Sequence, residues 1–116
     1  MYVINRSAAI IRPKQPFADW ANSLEDEENK YSIKDFSSDC TVILLTEIDS
    51  DEHADAIVKN LYKNIFEVEL LGWTTDENEW PRNRKYEMFL EWFEVEYHSI
   101  VIDPFVDDIE KEHYDY

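Results

Sequence analysis

"CTVILLTEIDSDEHADAIVKNLYKNIFEVELLG", residues 40–72, decides the fold class. Cys40 to Ile48 are a run of strand length made mostly of β-branched residues and leucine, read as the pattern of a strand buried on both faces. It is read as the central strand of a sheet. The period then changes. Ala54, Ile57, Val58, Leu61, Tyr62, Ile65, Phe66 and Val68 recur every three or four residues, with Asp55, Lys59, Asn60, Lys63, Asn64 and Glu67 on the other side. This predicts an amphipathic helix lying across the sheet. Asp49 and Glu52 have capping-box spacing, and acids at 49, 51 and 52 suit the positive end of the helix dipole. Gly72 is expected to end the helix in a left-handed cap. Such a helix is about 30 Å long, the width of a small domain, and each large side chain it buries contributes about 1.5–3 kcal/mol before entropy.

Upstream, Ser7 to Arg12 read as a short strand halted by Pro13. Pro16 suits the first turn of a helix over FADWANSL, with Phe17, Trp20 and Leu24 on one face. EDEENK, 25–30, reads as a solvated loop, and Ser32 is placed to cap a helical turn through Phe36. Downstream, Asn83 or a neighbour opens a helix over RKYEMFLEWF, with Tyr86, Phe89, Leu90 and Phe93 on one face. From Glu94 the period becomes two: Val95, Tyr97, Ser99 and Val101 alternate with Glu96, His98, Ile100 and Ile102, which predicts a strand running to Pro104. The sum is an α+β, two-layer domain over residues 1–103. About three strands are packed by one long helix and two or three shorter ones. Residues 104–116 are an acidic tail expected to be only partly ordered.

Twenty-seven acidic residues against eleven basic ones give a net charge of −16. That field repels nucleic-acid backbones and anionic membrane surfaces; it suits a basic partner, a cationic ligand or simple solubility. Cys40 is the single cysteine, so no intramolecular disulfide can form, and a reducing cytoplasmic setting is expected. No apolar run matches a secretion signal or a membrane span. One glycine cannot build a P-loop or a dinucleotide fingerprint, which excludes nucleotide enzymes of those classes. The serines show no nucleophile elbow, and Cys40 at the head of an apolar run reads as a small buried hydrophobe.

Basic residues fall in two islands. Arg6, Arg12 and Lys14 oppose one acid in the first 24 residues; Arg82, Arg84 and Lys85 sit beside Trp73 and Trp80. Arginine forks fit carboxylates and phosphates, and tryptophan faces stack on flat or cationic groups, so Arg6, Arg12, Trp73, Trp80, Arg82 and Arg84 are the candidate binding residues. The plainer account is internal salt bridging and core closure, for which acids are plentiful. Glu96 and His98, two apart on one strand face, are the weak candidates for proton transfer. His53 and His113 lack ligand spacing, and the acidic runs 25–28 and 103–108 lack that of an EF-hand, so no metal site and no cofactor are expected.

Asn5-Arg6-Ser7, Arg12-Pro13-Lys14-Gln15-Pro16-Phe17-Ala18-Asp19-Trp20, Gly72-Trp73 through Trp80-Pro81 to Asn83-Arg84, and Phe89-x-x-Trp92-Phe93 with His98-Ser99 resemble a family of short acidic prokaryotic proteins described only as hypothetical. The resemblance spans residues 1 to about 103 and implies no activity, cofactor or catalytic residue. It implies only that the basic islands and the His-Ser step belong to one pattern. Two functional readings follow. The first is a non-catalytic acidic interaction or adaptor domain engaging another protein or itself through the aromatic-rich 73–85 loop. The alternative is a small enzyme or ligand binder in which Arg6, Arg12 and Arg84 hold an anion while Glu96 and His98 handle protons.

Overall fold

The strand that holds the sheet together is Arg6–Pro13, not Thr41–Thr46. A computed structural model describes residues 1–24 and 30–114; most of the loop expected at 25–30 lies outside the described residues. In chain order the elements are β1 (Tyr2–Val3), β2 (Arg6–Pro13), α1 (Gln15–Asn22), α2 (Ile33–Ser37), β3 (Thr41–Thr46), α3 (Asp51–Leu71), α4 (Tyr86–Trp92), β4 (Phe93–His98) and β5 (Ile102–Asp103). One 3-10 turn, Glu77–Glu79, precedes α4. The fold is α+β. A three-stranded antiparallel sheet has the order β3-β2-β4, and β1 pairs with β5 in a separate two-stranded ribbon.

Register and burial give the sheet one closed face and one open face. Ser7, Ala9 and Ile11 of β2 sit opposite Leu45, Ile43 and Thr41 of β3, and Ala9 and Ile11 also oppose Tyr97 and Val95 of β4. These positions share a face because facing residues of an antiparallel pair point the same way. Ala9, Ile11 and Leu45 are essentially fully buried there beneath the helices. On the other face lie Ala8 and Ile10 with Val42 and Leu44, of which Val42 is 56% and Leu44 46% exposed. The expectation of a central strand buried on both faces therefore fails for β3. An apolar run shows that a strand is apolar; it does not show that a second layer covers it.

The helices close the inner face with aromatic rings. Phe66 of α3 meets Trp92 and Phe93 with centroids 5.4 and 5.3 Å away, and Phe17 of α1 meets Phe93 and Phe36 at 5.2 and 6.1 Å. Phe89 adds rings at 5.2 Å from Phe93 and 6.1 Å from Phe66. These are tilted or edge-on pairs, which the ring quadrupole favours. Alanine at 9 and 18 leaves room for them, since both are wholly buried. Tyr97 straps sheet to helix by donating to Asp55 Oδ1 at 2.6 Å.

Several local expectations need correction. Ser50, not Asp49, caps α3: its side chain in extended geometry accepts the His53 N–H at 3.0 Å, while Asp49 instead pairs with the His53 ring. Gly72 is right-handed at φ −61°, so the helix ends without the left-handed cap. Among the described residues the left-handed one is Asn83 at φ 57°, a conformation asparagine tolerates, and α4 opens two residues later at its cap Lys85. Along α3, Ala54, Val58, Ile65, Phe66 and Leu70 are buried, Ile57 packs at the core's edge and Leu61 is 39% exposed. Leu90 likewise points outward. The strand expected from Glu94 to Pro104 breaks after His98 and resumes only as β5.

Ser7 is the one buried polar side chain of the sheet's centre. Its hydroxyl donates to the Ser99 carbonyl at 3.1 Å and accepts the Ile48 N–H at 3.0 Å, so it joins the chain just beyond β4 to the chain just beyond β3. Ser7→Ala removes both partners. We expect it to lower unfolding free energy by about 1–2 kcal/mol in urea titration, the cost of orphaning part-buried backbone groups, without changing the m-value.

Candidate functional site

The two basic islands are held apart by the fold. Arg84 belongs to the helical layer: it donates to the Pro81 carbonyl at 2.8 Å, pairs with Glu67 of α3 at 3.2 Å and lies 5.6 Å over the Trp80 ring. Trp80 is buried and donates its indole N–H to the Thr74 carbonyl, while Trp20 donates to the Glu79 carbonyl. The 73–85 loop is thus pinned over the core, with Arg82 pointing out to solvent. Arg12 and Arg6 are on β2's open face, six residues apart, a span of roughly 20 Å at strand rise. The fold does not gather Arg6, Arg12 and Arg84 into one pocket.

It does gather Arg12, Glu96 and His98. Arg12 Nη1 lies 3.3 Å from Glu96 Oε1, and His98 Nε2 lies 2.6 Å from Glu96 Oε2. The bonds to His98 and Arg12 hold the Glu96 carboxyl below the usual carboxylate range. The trio stands on the open sheet face, and all three side chains are about a third or more exposed. Screening by water leaves such a network little energy to direct, and the Glu96 carboxylate is already satisfied by two donors.

The same face carries an apolar surface. Beside Leu44 and Arg6, a shallow groove of about 340 Å³ is lined by Tyr2, Ile4, Phe105, Val106 and Ile109 and edged by Asp103, Asp107 and Asp108. Phe105, Val106 and Ile109 are 72, 79 and 59% exposed. The chain after β5 thus runs against the N-terminal residues, and Asp103 fixes its first turn by accepting the Phe105 N–H at 2.9 Å.

A second concavity, about 490 Å³, opens where α2, the start of β3 and the end of α3 meet. Tyr31, Phe36 and Trp73 form its aromatic wall: Phe36 and Trp73 are 5.0 Å apart, Tyr31 and Trp73 5.8 Å, and Tyr31 and Phe36 6.1 Å at nearly a right angle. Glu69 of α3 and Asp35 and Asp39 supply carboxylates. Asp35 is occupied by the N–H and hydroxyl of Ser32, at 2.8 and 3.1 Å. Glu69 Oε1 is buried without a hydrogen-bond partner. Burial raises the Glu69 pKa, against a lowering contribution from Thr41. Cys40 borders the same space, and burial raises its pKa too, with Arg12 pulling the other way. Sequence reading missed this site except for Trp73. The available signal was Glu69 itself, three and four residues beyond Phe66 and Ile65 and so on the buried side of α3.

Among the described residues, no three His, Cys, Asp or Glu side chains come close enough to hold a metal ion, and no helix is long and apolar enough to cross a membrane. The chain matches no protein-family profile, no curated protein and no solved structure.

The raised Glu69 pKa has a defined sign. The proton is held more tightly in the folded state, so the stability it contributes is full below the unfolded glutamate's pKa and is lost as pH rises through the folded value. Glu69→Gln should therefore stabilise the protein at neutral pH, because it removes the carboxylate charge that burial disfavours. Below about pH 4, where both states hold the proton, variant and wild type should melt together in thermal scans.

Proposed function

We propose that this chain is a non-catalytic interaction domain that docks a basic protein on the open face of its sheet. The observation that carries the reading is the exposure of Leu44 beside Phe105, Val106 and Ile109 in a groove edged by acids, with Val42 exposed two residues along the same face of β3. Contiguous exposed apolar surface rimmed by charge is characteristic of protein contacts. The net charge of −16 selects the partner's sign and opposes self-association through an acid-edged face. The internal use of Arg84 and the open, satisfied Arg12–Glu96–His98 trio favour this reading over an anion-handling enzyme. The single cysteine suits a reducing, cytoplasmic setting, and the kinship to hypothetical prokaryotic proteins is part of the same proposal.

The test is a comparative affinity capture with wild type and Leu44→Asp as baits, both verified as folded by thermal melting. A protein with a basic surface should be retained by wild type, weakened by added salt, and lost at least ten-fold with Leu44→Asp. Equal recovery on both baits, or retention of acidic proteins alone, contradicts the assignment of this face.

A further inference from the structure

The edge of β3 that faces away from β2 is unpaired. Thr41–Thr46 is an outer member of the three-stranded sheet, and among the described residues its backbone makes no hydrogen bond beyond the ladder to β2. In an antiparallel pair alternate residues turn their N–H and C=O outward, so one set of β3's peptide groups is left to solvent. Ile43 reflects the same opening: it shares the covered face with Ala9 and Leu45, which are fully buried, yet is itself only half-buried. Edge strands commonly carry charge, proline or a bulge that refuses a further strand. The opposite edge, β4, has Glu94, Glu96 and His98. β3 has none of these devices: TVILLT is uncharged, all six residues pair with β2 in unbroken register, and Val42 and Leu44 stand exposed on the open face. Acids mark its two ends. Asp39 precedes it and Glu47 follows it, both exposed and neither in an ion pair among the described residues.

We propose that the partner docks by strand addition: an extended segment flanked by basic residues pairs with the free edge of Thr41–Thr46, its apolar side chains beside Val42 and Leu44 and its cations against Asp39 and Glu47. This rests on the docking reading above and deepens it by naming the form of the partner. Main-chain bonds supply the affinity of such a contact, and alternate side chains supply its specificity. A second copy of this chain is the wrong occupant. Antiparallel self-pairing centred on Ile43 sets Asp39 of each copy opposite Glu47 of the other, like charges facing at both ends, between bodies of net charge −16. A lysine or arginine beyond each end of the partner's strand reverses that sign.

The probe is a terminally blocked peptide of three threonine–valine repeats with two lysines at either end, which favours extended structure and is basic. It is titrated into the intact, isotope-labelled chain, with affinity read by fluorescence anisotropy and contacts by NMR amide exchange. At saturation, exchange should slow at least ten-fold at alternate amides of Thr41–Thr46 and stay unchanged across Phe93–His98. N-methylated peptides read the backbone directly. Methylating the threonines or the valines, one set at a time, should weaken binding at least ten-fold for one set and spare the other, because only alternate N–H groups of an added strand face the edge. A peptide with glutamate in place of lysine should bind at least ten-fold more weakly, and added salt should weaken the basic one. If binding is lost in Leu44→Asp while the β3 amides gain no protection and both methylated peptides bind alike, strand addition is overturned and docking on the open face survives. Equal binding of the glutamate peptide overturns the proposal and removes the charge argument from the docking reading as well. No saturable binding, or protection of the same amides that grows with protein concentration in the absence of peptide, also overturns it, the latter by making a second copy the occupant.

Discussion

The packing of Phe17, Phe66, Phe89 and Phe93 onto one face of β2 is the constraint from which the rest of the molecule follows. Four rings and their tryptophan neighbours need room at the sheet, and Ala9 provides it, flanked by the larger side chains of Ile11, Leu45 and Val95. All the helices that bury these rings therefore gather on that side. Among the described residues no helix covers the other side, where Ala8 is buried by its neighbours but Val42 and Leu44 meet solvent. The bare face bearing Val42 and Leu44 is the consequence of where the aromatic residues went.

Charge is distributed by the same logic. Burying an arginine head without a partner is costly, so Arg84 appears beside Trp80 only with Glu67 and a backbone carbonyl to satisfy its fork. Among the described residues Glu69 Oε1 is the exception, a buried oxygen to which no hydrogen-bond donor is directed. Buried groups left unsatisfied are uncommon in stable folds, and those that persist ask for an explanation.

The sequence disclosed the periodic elements well. The α3 stripe through Val58, Ile65 and Phe66, the short strand at 7–12 and the capped turn at Ser32 all follow from spacing and local side-chain chemistry, which are properties of neighbouring residues. What escaped depends on distant ones. The hydrophobicity of 41–46 was plain, but its place at the sheet edge depends on β2 pairing with β4, whose partners such as Ala8 and His98 are far apart in the chain. The β1–β5 ribbon joins the two ends of the fold through strands of two residues, too short to carry any period. Glu96 and His98 were paired by their spacing and Arg12 joined them in one of the two readings; that Arg12 meets them without Arg6 and Arg84 follows from the register of β2 and β4, which spacing does not carry. The cavity between α2, β3 and α3 was the least legible part: Tyr31, Phe36, Glu69 and Trp73 come from separate segments, and only Trp73 and the glutamate on an apolar stripe marked it.

The one-sided sheet is tested most directly by comparing two adjacent leucines. Equilibrium unfolding of Leu45→Ala and Leu44→Ala, at concentrations low enough to keep the protein monomeric, reads the two faces of β3 separately. The account predicts a loss of about 2–5 kcal/mol for Leu45→Ala, as in a closed core, and less than about 1 kcal/mol for Leu44→Ala, which already meets solvent. Comparable losses at both positions would mean that β3 is covered on both sides and that the open face does not exist.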